Sequence, residues 1–96
     1  MMLDIKATFT KHGDEYGKFD RIENPPTTRP DLCAFLLLER LAPGDTDIVS
    51  AAEHDEIYLS TECDKLAAVA TEADIVTLLR CGVRYSSEFD CLHMWV

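Results

Sequence analysis

Cys91 and His93 are the two residues whose types and spacing come nearest to a chemical site. They lie two positions apart in the segment CLHMWV, residues 91–96. Alternate residues of a strand point to the same face, so a thiol and an imidazole would lie side by side. Nucleophilic catalysis needs such a pair, together with a third group that orients the imidazole. The sequence gives no signal for that group and contains no catalytic motif, so we expect a protein that is not an enzyme.

The same two side chains supply only part of a metal site. A tetrahedral zinc site needs four ligands, and Cys81, Cys63 and His54 are the candidates to complete it. The spacings match no standard zinc pattern, and no C-x-x-C occurs. We expect a thiol and a half-buried imidazole in a strand, with no metal or other cofactor. A small metal-binding protein that uses Cys91 and His93 is the alternative hypothesis.

The acidic residues are concentrated in one third of the chain. The net charge is −9, which argues against direct binding to nucleic acid or to an anionic membrane. Residues 45–74 carry nine acidic residues and a single lysine. This segment is either a solvated surface or a carboxylate array that mimics nucleic-acid phosphates. Its candidate interaction residues are Asp45, Asp47, Glu53, Asp55, Glu56, Glu62 and Asp64.

The densest apolar stretch, DLCAFLLLERLA at residues 31–42, predicts the central helix. It has no β-branched residue, and Pro43–Gly44 ends it. One stripe, which includes Leu38, is predicted to pack on a sheet. Leu32 and Leu36 lie on the other side, where either the N-terminal segment or a second chain must cover them. Together with Trp95, these leucines are candidates for a partner surface.

The remaining segments predict short strands and helices. Strict alternation in 3–9 favours a strand, and 18–22 is a weaker candidate. Two hairpins are predicted, from 47–52 with 56–60 and from 82–86 with 90–96, although a helix over 47–54 is an alternative to the first. Thr-x-x-Asp capping patterns at Thr28, Thr61 and Thr71 predict three helix starts, the last two opening helices over 62–69 and 72–80.

This order of elements predicts a single α+β domain over residues 1–96, with helices packed on one face of a mostly antiparallel sheet. The last strand has apolar residues on both faces, so we expect it to lie in the interior of the sheet or to be covered on both sides. No apolar run is long enough to span a membrane, and the N-terminus has no signal-peptide pattern, so we expect a cytoplasmic protein.

The size, acidity and lack of motifs resemble those of the small accessory proteins that bacteria and their phages encode. Our leading hypothesis is a non-enzymatic module that acts by binding another protein and that also self-associates into a homo-oligomer. A narrower version is an inhibitor whose 45–74 surface competes with nucleic acid. A subunit of a larger assembly is a further alternative.

Overall fold

The computed structural model describes residues 3–53 and 55–95. It contains a four-stranded antiparallel sheet and four α-helices, which confirms the α+β class. Two short 3-10 helices, Gly13–Glu15 and Phe19–Arg21, lie between the first two α-helices. The elements in chain order are α1 (Ile5–Lys11), α2 (Pro30–Leu41), β1 (Val49–Glu53), β2 (Glu56–Leu59), α3 (Cys63–Val69), α4 (Glu72–Arg80), β3 (Val83–Ser86) and β4 (Cys91–Trp95).

The sheet consists of the two predicted hairpins, joined side by side. The strand order is β1-β2-β4-β3, so β4 lies inside the sheet, which is the first of the two arrangements expected from its apolar faces. Met94 of β4 is paired with Ile57 of β2 and with Val83 of β3. Val96, the last residue of the predicted strand, lies outside the described residues.

All the helices contribute to the core on one face of the sheet. Met94 and the strand residues of the same face form one apolar cluster with residues of α1, α2, α3 and α4. Burial on this face confirms the predicted layering, with helices on one side only. No helix within the described ranges has the length and apolarity needed to cross a membrane. The largest fully buried side chains are Leu38, Leu59, Leu66, Ile75, Leu78, Val83 and Leu92.

The central helix α2 forms where it was predicted, and Leu38 is completely buried. Its start differs from the prediction: Arg29 is the N-cap and makes no side-chain cap, so Thr28 does not cap the helix. Leu32 and Leu36 are 40% and 55% exposed. The N-terminal segment therefore does not cover them, although Ile22 borders the same groove as Leu36. Both leucines lie on the surface.

The strand predicted for residues 3–9 is wrong, because this segment forms α1. Asp4 caps the helix by accepting a hydrogen bond from the Ala7 amide at 3.0 Å. Ile5 and Phe9 are buried, and their spacing of four fits one face of a helix as well as one face of a strand. The second N-terminal strand, at 18–22, is also wrong, since Phe19–Arg21 is a 3-10 helix.

The three capping patterns have different outcomes. At Thr71 the predicted capping box is present: the Asp74 amide donates to the Thr71 hydroxyl at 3.2 Å, and the Thr71 amide donates to the Asp74 carboxylate at 2.9 Å. At Thr61 the pattern is not used, because α3 begins one residue later than expected, with Glu62 as its N-cap. Gly82, which follows α4, has φ of +94° and ends that helix as predicted.

Glu15 links the N-terminal segment to α4 through ion pairs. Its carboxylate accepts a hydrogen bond from Arg80 at 2.8 Å and another from Arg21 at 2.9 Å. The hydrogen bond from Arg80 lowers the pKa of Glu15 below its usual value, against the opposing effect of burial, and the charge of Arg21 adds to the lowering. The Gly17 amide also donates to the Leu79 carbonyl at 2.9 Å.

Leu36→Glu and Leu38→Ala should differ sharply in stability. Leu38→Ala leaves a cavity in the core and should cost about 2–5 kcal/mol of unfolding free energy. Leu36→Glu changes an exposed position and should alter the unfolding free energy by less than about 0.5 kcal/mol. Urea unfolding followed by circular dichroism measures both. A strong loss of stability in Leu36→Glu would mean that the Leu36 side chain is covered in solution.

Glu15→Gln should lower the melting temperature at neutral pH by removing the charged bridge to Arg80. Because the pKa of Glu15 is lowered on folding, the native contribution is complete above the ordinary value near 4.5 and is lost as the pH falls below it. The difference in melting temperature between native and variant protein should therefore shrink in acid. Glu23→Gln, at an exposed position, is the control. A difference independent of pH would contradict the ionic role.

Candidate functional site

The face of the sheet opposite the helices carries the predicted site residues of β4. The register pairs Tyr58 with His93 and Glu56 with Trp95, which places all four on this outer face. Trp95 is 54% exposed, and Phe89, from the β3–β4 turn, is 59% exposed. The Tyr58 and Phe89 rings meet edge to face, with their centroids 5.5 Å apart. The outer face therefore presents a cluster of aromatic side chains to solvent.

The imidazole of His93 has the carboxylate partner that the sequence did not signal. His93 Nδ1 forms a hydrogen bond with Glu56 Oε1 from the neighbouring strand. The two side chains are only 13% and 18% exposed. The Tyr58 ring stacks beside the imidazole with centroids 6.2 Å apart, and its hydroxyl donates to Glu56 Oε2 at 3.4 Å. These contacts fix the position of His93 and occupy the Glu56 carboxylate.

Cys91 lies on the same face as His93 but is not activated as a nucleophile. Burial raises the pKa of the Cys91 thiol, and the negative charges of Asp90 and Glu56 raise it further. Catalytic cysteines have a lowered pKa, because the thiolate is the attacking species. Cys91, His93 and Glu56 therefore have the residue types of a catalytic triad on one face of the sheet, but the pKa of the thiol is shifted in the direction opposite to that of a catalytic cysteine.

Among the described residues, neither Cys81 nor Cys63 joins Cys91 and His93 in a group that could hold a metal ion. Cys81 is 2% exposed and belongs to the core under the sheet. Burial raises its pKa to about 12, and that of Cys63 to about 11. Among residues 3–53 and 55–95, no three His, Cys, Asp or Glu side chains are grouped so that they could hold a metal ion. His54 lies outside these residues.

The acidic candidates divide between the two ends of the β1–β2 hairpin. Glu53 and Glu56 are paired across the strands at the turn, and Asp55 lies in that turn. Asp47 precedes β1 and lies at the other end, where the Ser60 hydroxyl donates to its carbonyl at 2.5 Å. Asp47 and Glu53 are six residues apart, or about 20 Å, because a strand rises about 3.3 Å per residue.

A surface cleft of about 200 Å³ gathers Asp45, Glu62 and Lys65 at that second end. Lys65 forms an ion pair with Glu62 at 3.1 Å. The hydrogen bond to Glu62 raises the pKa of Lys65, and Asp45 contributes to the rise. Asp64 is exposed on the first turn of α3. Of the predicted acidic residues, Glu56 is bonded to His93 and Glu62 forms an ion pair with Lys65. Asp47, Glu53 and Asp55 are exposed and form no ion pair within the described residues.

The strand β1 itself is the most exposed element of the sheet. It lies at the end of the strand order and pairs with β2 alone. Ser50, Ala51, Ala52 and Glu53 are all exposed. Ser50 forms a bulge, and its hydroxyl donates to the Tyr58 carbonyl at 3.1 Å. An edge strand presents unpaired amide and carbonyl groups along its free side, which another extended segment can pair with.

Comparisons of this chain with protein-family models, with curated proteins and with solved structures give no match.

Cys91 should react slowly with iodoacetamide. Its raised pKa leaves less thiolate at pH 7.5 than an unperturbed thiol has, and the rate follows the thiolate fraction. Peptide mass spectrometry of the labelled protein gives the rate, and glutathione under the same conditions is the reference. A rate for Cys91 above that of glutathione would indicate an activated thiol and would support Cys91 as a catalytic nucleophile.

Proposed function

We propose that this protein is a small acidic interaction module that binds an extended basic segment of another protein along the β1 edge. The observation that carries the proposal is the exposure of β1, where four of the five residues are exposed at the end of the sheet. In this mode of recognition, main-chain hydrogen bonds supply affinity and side chains at the margins supply specificity.

Charge defines the partner segment. Asp47 lies just before β1, while Glu53 ends the strand and Asp55 follows it. These three exposed carboxylates flank a central stretch of small residues, Ser50 to Ala52. A complementary strand carries lysine or arginine at both ends, about six residues apart at the ordinary strand rise. The net charge of −9 attracts such a segment from a distance and speeds its association.

The outer face of the sheet extends the surface beyond the edge. By the strand register, Tyr58 and Trp95 lie on the same side as the β1 residues Ala51 and Glu53. The ring contact with Tyr58 places Phe89 on this side too. Exposed aromatic side chains are common at the energetic centre of protein interfaces. A partner that pairs with β1 and folds over these rings gains apolar burial in addition to the strand pairing.

The proposal includes a narrower form in which the bound segment belongs to the nucleic-acid site of a basic protein, so that binding inhibits that protein. Because the carboxylates divide between the two ends of the hairpin, the mimicry is of two separated phosphate positions, not of a continuous row. Adding DNA or RNA should then release the captured partner, whereas a partner without a nucleic-acid site would be unaffected.

Affinity capture from the native host, with paired variants, tests the proposal. Asp47→Asn with Glu53→Gln removes one acid from each end of β1, while Asp14→Asn with Glu23→Gln changes the net charge equally at exposed sites elsewhere. We expect the native protein and the control to retain a partner at low salt and release it at high salt. The β1 variant should lose at least 10-fold in affinity. Equal capture by both variants would refute the proposed surface.

Hydrogen exchange separates strand pairing from purely ionic attraction. Pairing of a partner segment with β1 should slow amide exchange within Val49–Glu53, because the free side of the edge becomes hydrogen-bonded. Amides of α4, which packs against β3 at the opposite edge of the sheet from β1, serve as the internal reference. Protection at the aromatic outer face without protection in β1 would assign the binding to that face instead.

A further inference from the structure

We infer that a cleft beside β3 is a binding site for a small anion that carries an aromatic ring, such as a nucleoside monophosphate. The cleft has a volume of about 310 Å³ and lies between α1, the turn at Tyr16 and β3. Ligand pockets usually start at about 300 Å³, so the cleft suits a ligand of mononucleotide size. The inference concerns a different part of the molecule from the β1 edge and does not depend on the proposed function.

Two cations face this cleft without carboxylate partners among residues 3–53 and 55–95. Of the nine Lys and Arg residues, five form ion pairs with Asp or Glu. Lys6 and Arg84 both line the cleft, and neither forms an ion pair within the described part of the chain. No Asp or Glu is among the described residues that line it. In a chain with twice as many acids as bases, this cleft is a local region of positive charge.

Tyr16 holds the guanidinium group of Arg84 in place. The Arg84 Cζ atom lies 5.0 Å from the centroid of the Tyr16 ring, within the range of a cation–π interaction. The contact is made through Cζ and the ring, and the Arg84 side chain donates no hydrogen bond to the described residues, so its N–H groups remain free to donate to a ligand. A guanidinium positioned in this way can donate two parallel hydrogen bonds to a phosphate or carboxylate. The Lys6 ammonium adds a second positive charge from α1.

The aromatic side chains provide a surface for a flat ring. Phe9 and Tyr85 line the cleft with their centroids 6.4 Å apart and an angle of 30° between the rings. Phe9 is only 5% exposed, so the accessible aromatic surface comes from Tyr85 and Tyr16. The Tyr85 hydroxyl donates to the Asp90 carboxylate at 2.5 Å, so its hydrogen is already used. The ring is therefore the part of Tyr85 that a ligand can contact. Tyr16, 36% exposed, borders the opening. A base or another flat ring can stack here.

The size of the charged ligand is limited by the rest of the protein. Two unpaired cations match the charge of one phosphate monoester, whereas a long polyanion would meet the negative field of a chain with net charge −9. The ligand is therefore a single small anion and not a nucleic-acid strand. Its recognition requires both the anionic group, for Lys6 and Arg84, and the ring, for the aromatic surface.

Titration of the native protein with the four common ribonucleoside 5′-monophosphates, followed by amide NMR, tests this site. At least one should give saturable shifts at Gly13 and at residues of β3. Adenosine or another matching nucleoside, and inorganic phosphate alone, should each bind at least 10-fold more weakly than the nucleotide. An eight-residue oligonucleotide should not exceed the nucleotide in affinity at physiological salt.

Variants locate the binding in the cleft. Arg84→Gln and Lys6→Gln should each weaken nucleotide binding at least 10-fold, and Tyr16→Ala should weaken it through loss of the guanidinium support. Arg40→Gln and Lys18→Gln change cations outside the cleft and should leave the affinity unchanged. Each variant is first checked for a native amide spectrum. The inference is overturned by an absence of saturable shifts, by unchanged affinity in the cleft variants, or by equal binding of nucleoside or phosphate alone.

Discussion

The pairing of β2 with β4 is the contact on which the rest of the structure depends. Each hairpin can form from neighbouring residues, but the four-stranded sheet exists only when these two strands meet, and the His93–Glu56 contact across them joins residues 37 positions apart. The inner side of this pair supplies Ile57 and Met94 to the core. The outer side carries Tyr58 and His93. One register therefore sets both the packing of the helices and the composition of the exposed face.

The helices that were predicted correctly are those for which two independent features of the local sequence indicate the same element. At α4, an apolar stripe coincides with a complete capping box and a glycine in the left-handed region at Gly82. At α2, helix-forming residues coincide with a Pro-Gly stop. The N-terminal segment had one signal only. Over seven residues, the alternation from Leu3 to Phe9 also satisfies a helical spacing of four, and the cap at Asp4 decided the outcome.

The candidate site was predictable only within a single strand. The alternation of Cys91, His93 and Trp95 placed these residues together, whereas the partner of His93 comes from β2 through a register that the sequence does not encode locally. Likewise, Lys6 and Arg84 meet in one cleft because α1 packs beside β3, and α1 was predicted as a strand. The charge count found the acidic segment, but its division between the two hairpin ends follows from the β1–β2 turn.

The two edges of the sheet differ in a way that bears on aggregation. Growth of a fibre by edge-to-edge addition needs two open edges on every copy, so that each new molecule offers another template. Here β1 is open, but on the opposite side Tyr16 lies against Arg84 and α1 lines a shared cleft with β3. Pairing of two copies through β1 would leave the two β3 strands at the outer edges, each with the Arg84–Tyr16 contact beside it. Further extension would have to begin at β3, a four-residue strand that is less exposed than β1, so the two edges are not equivalent templates for sheet growth.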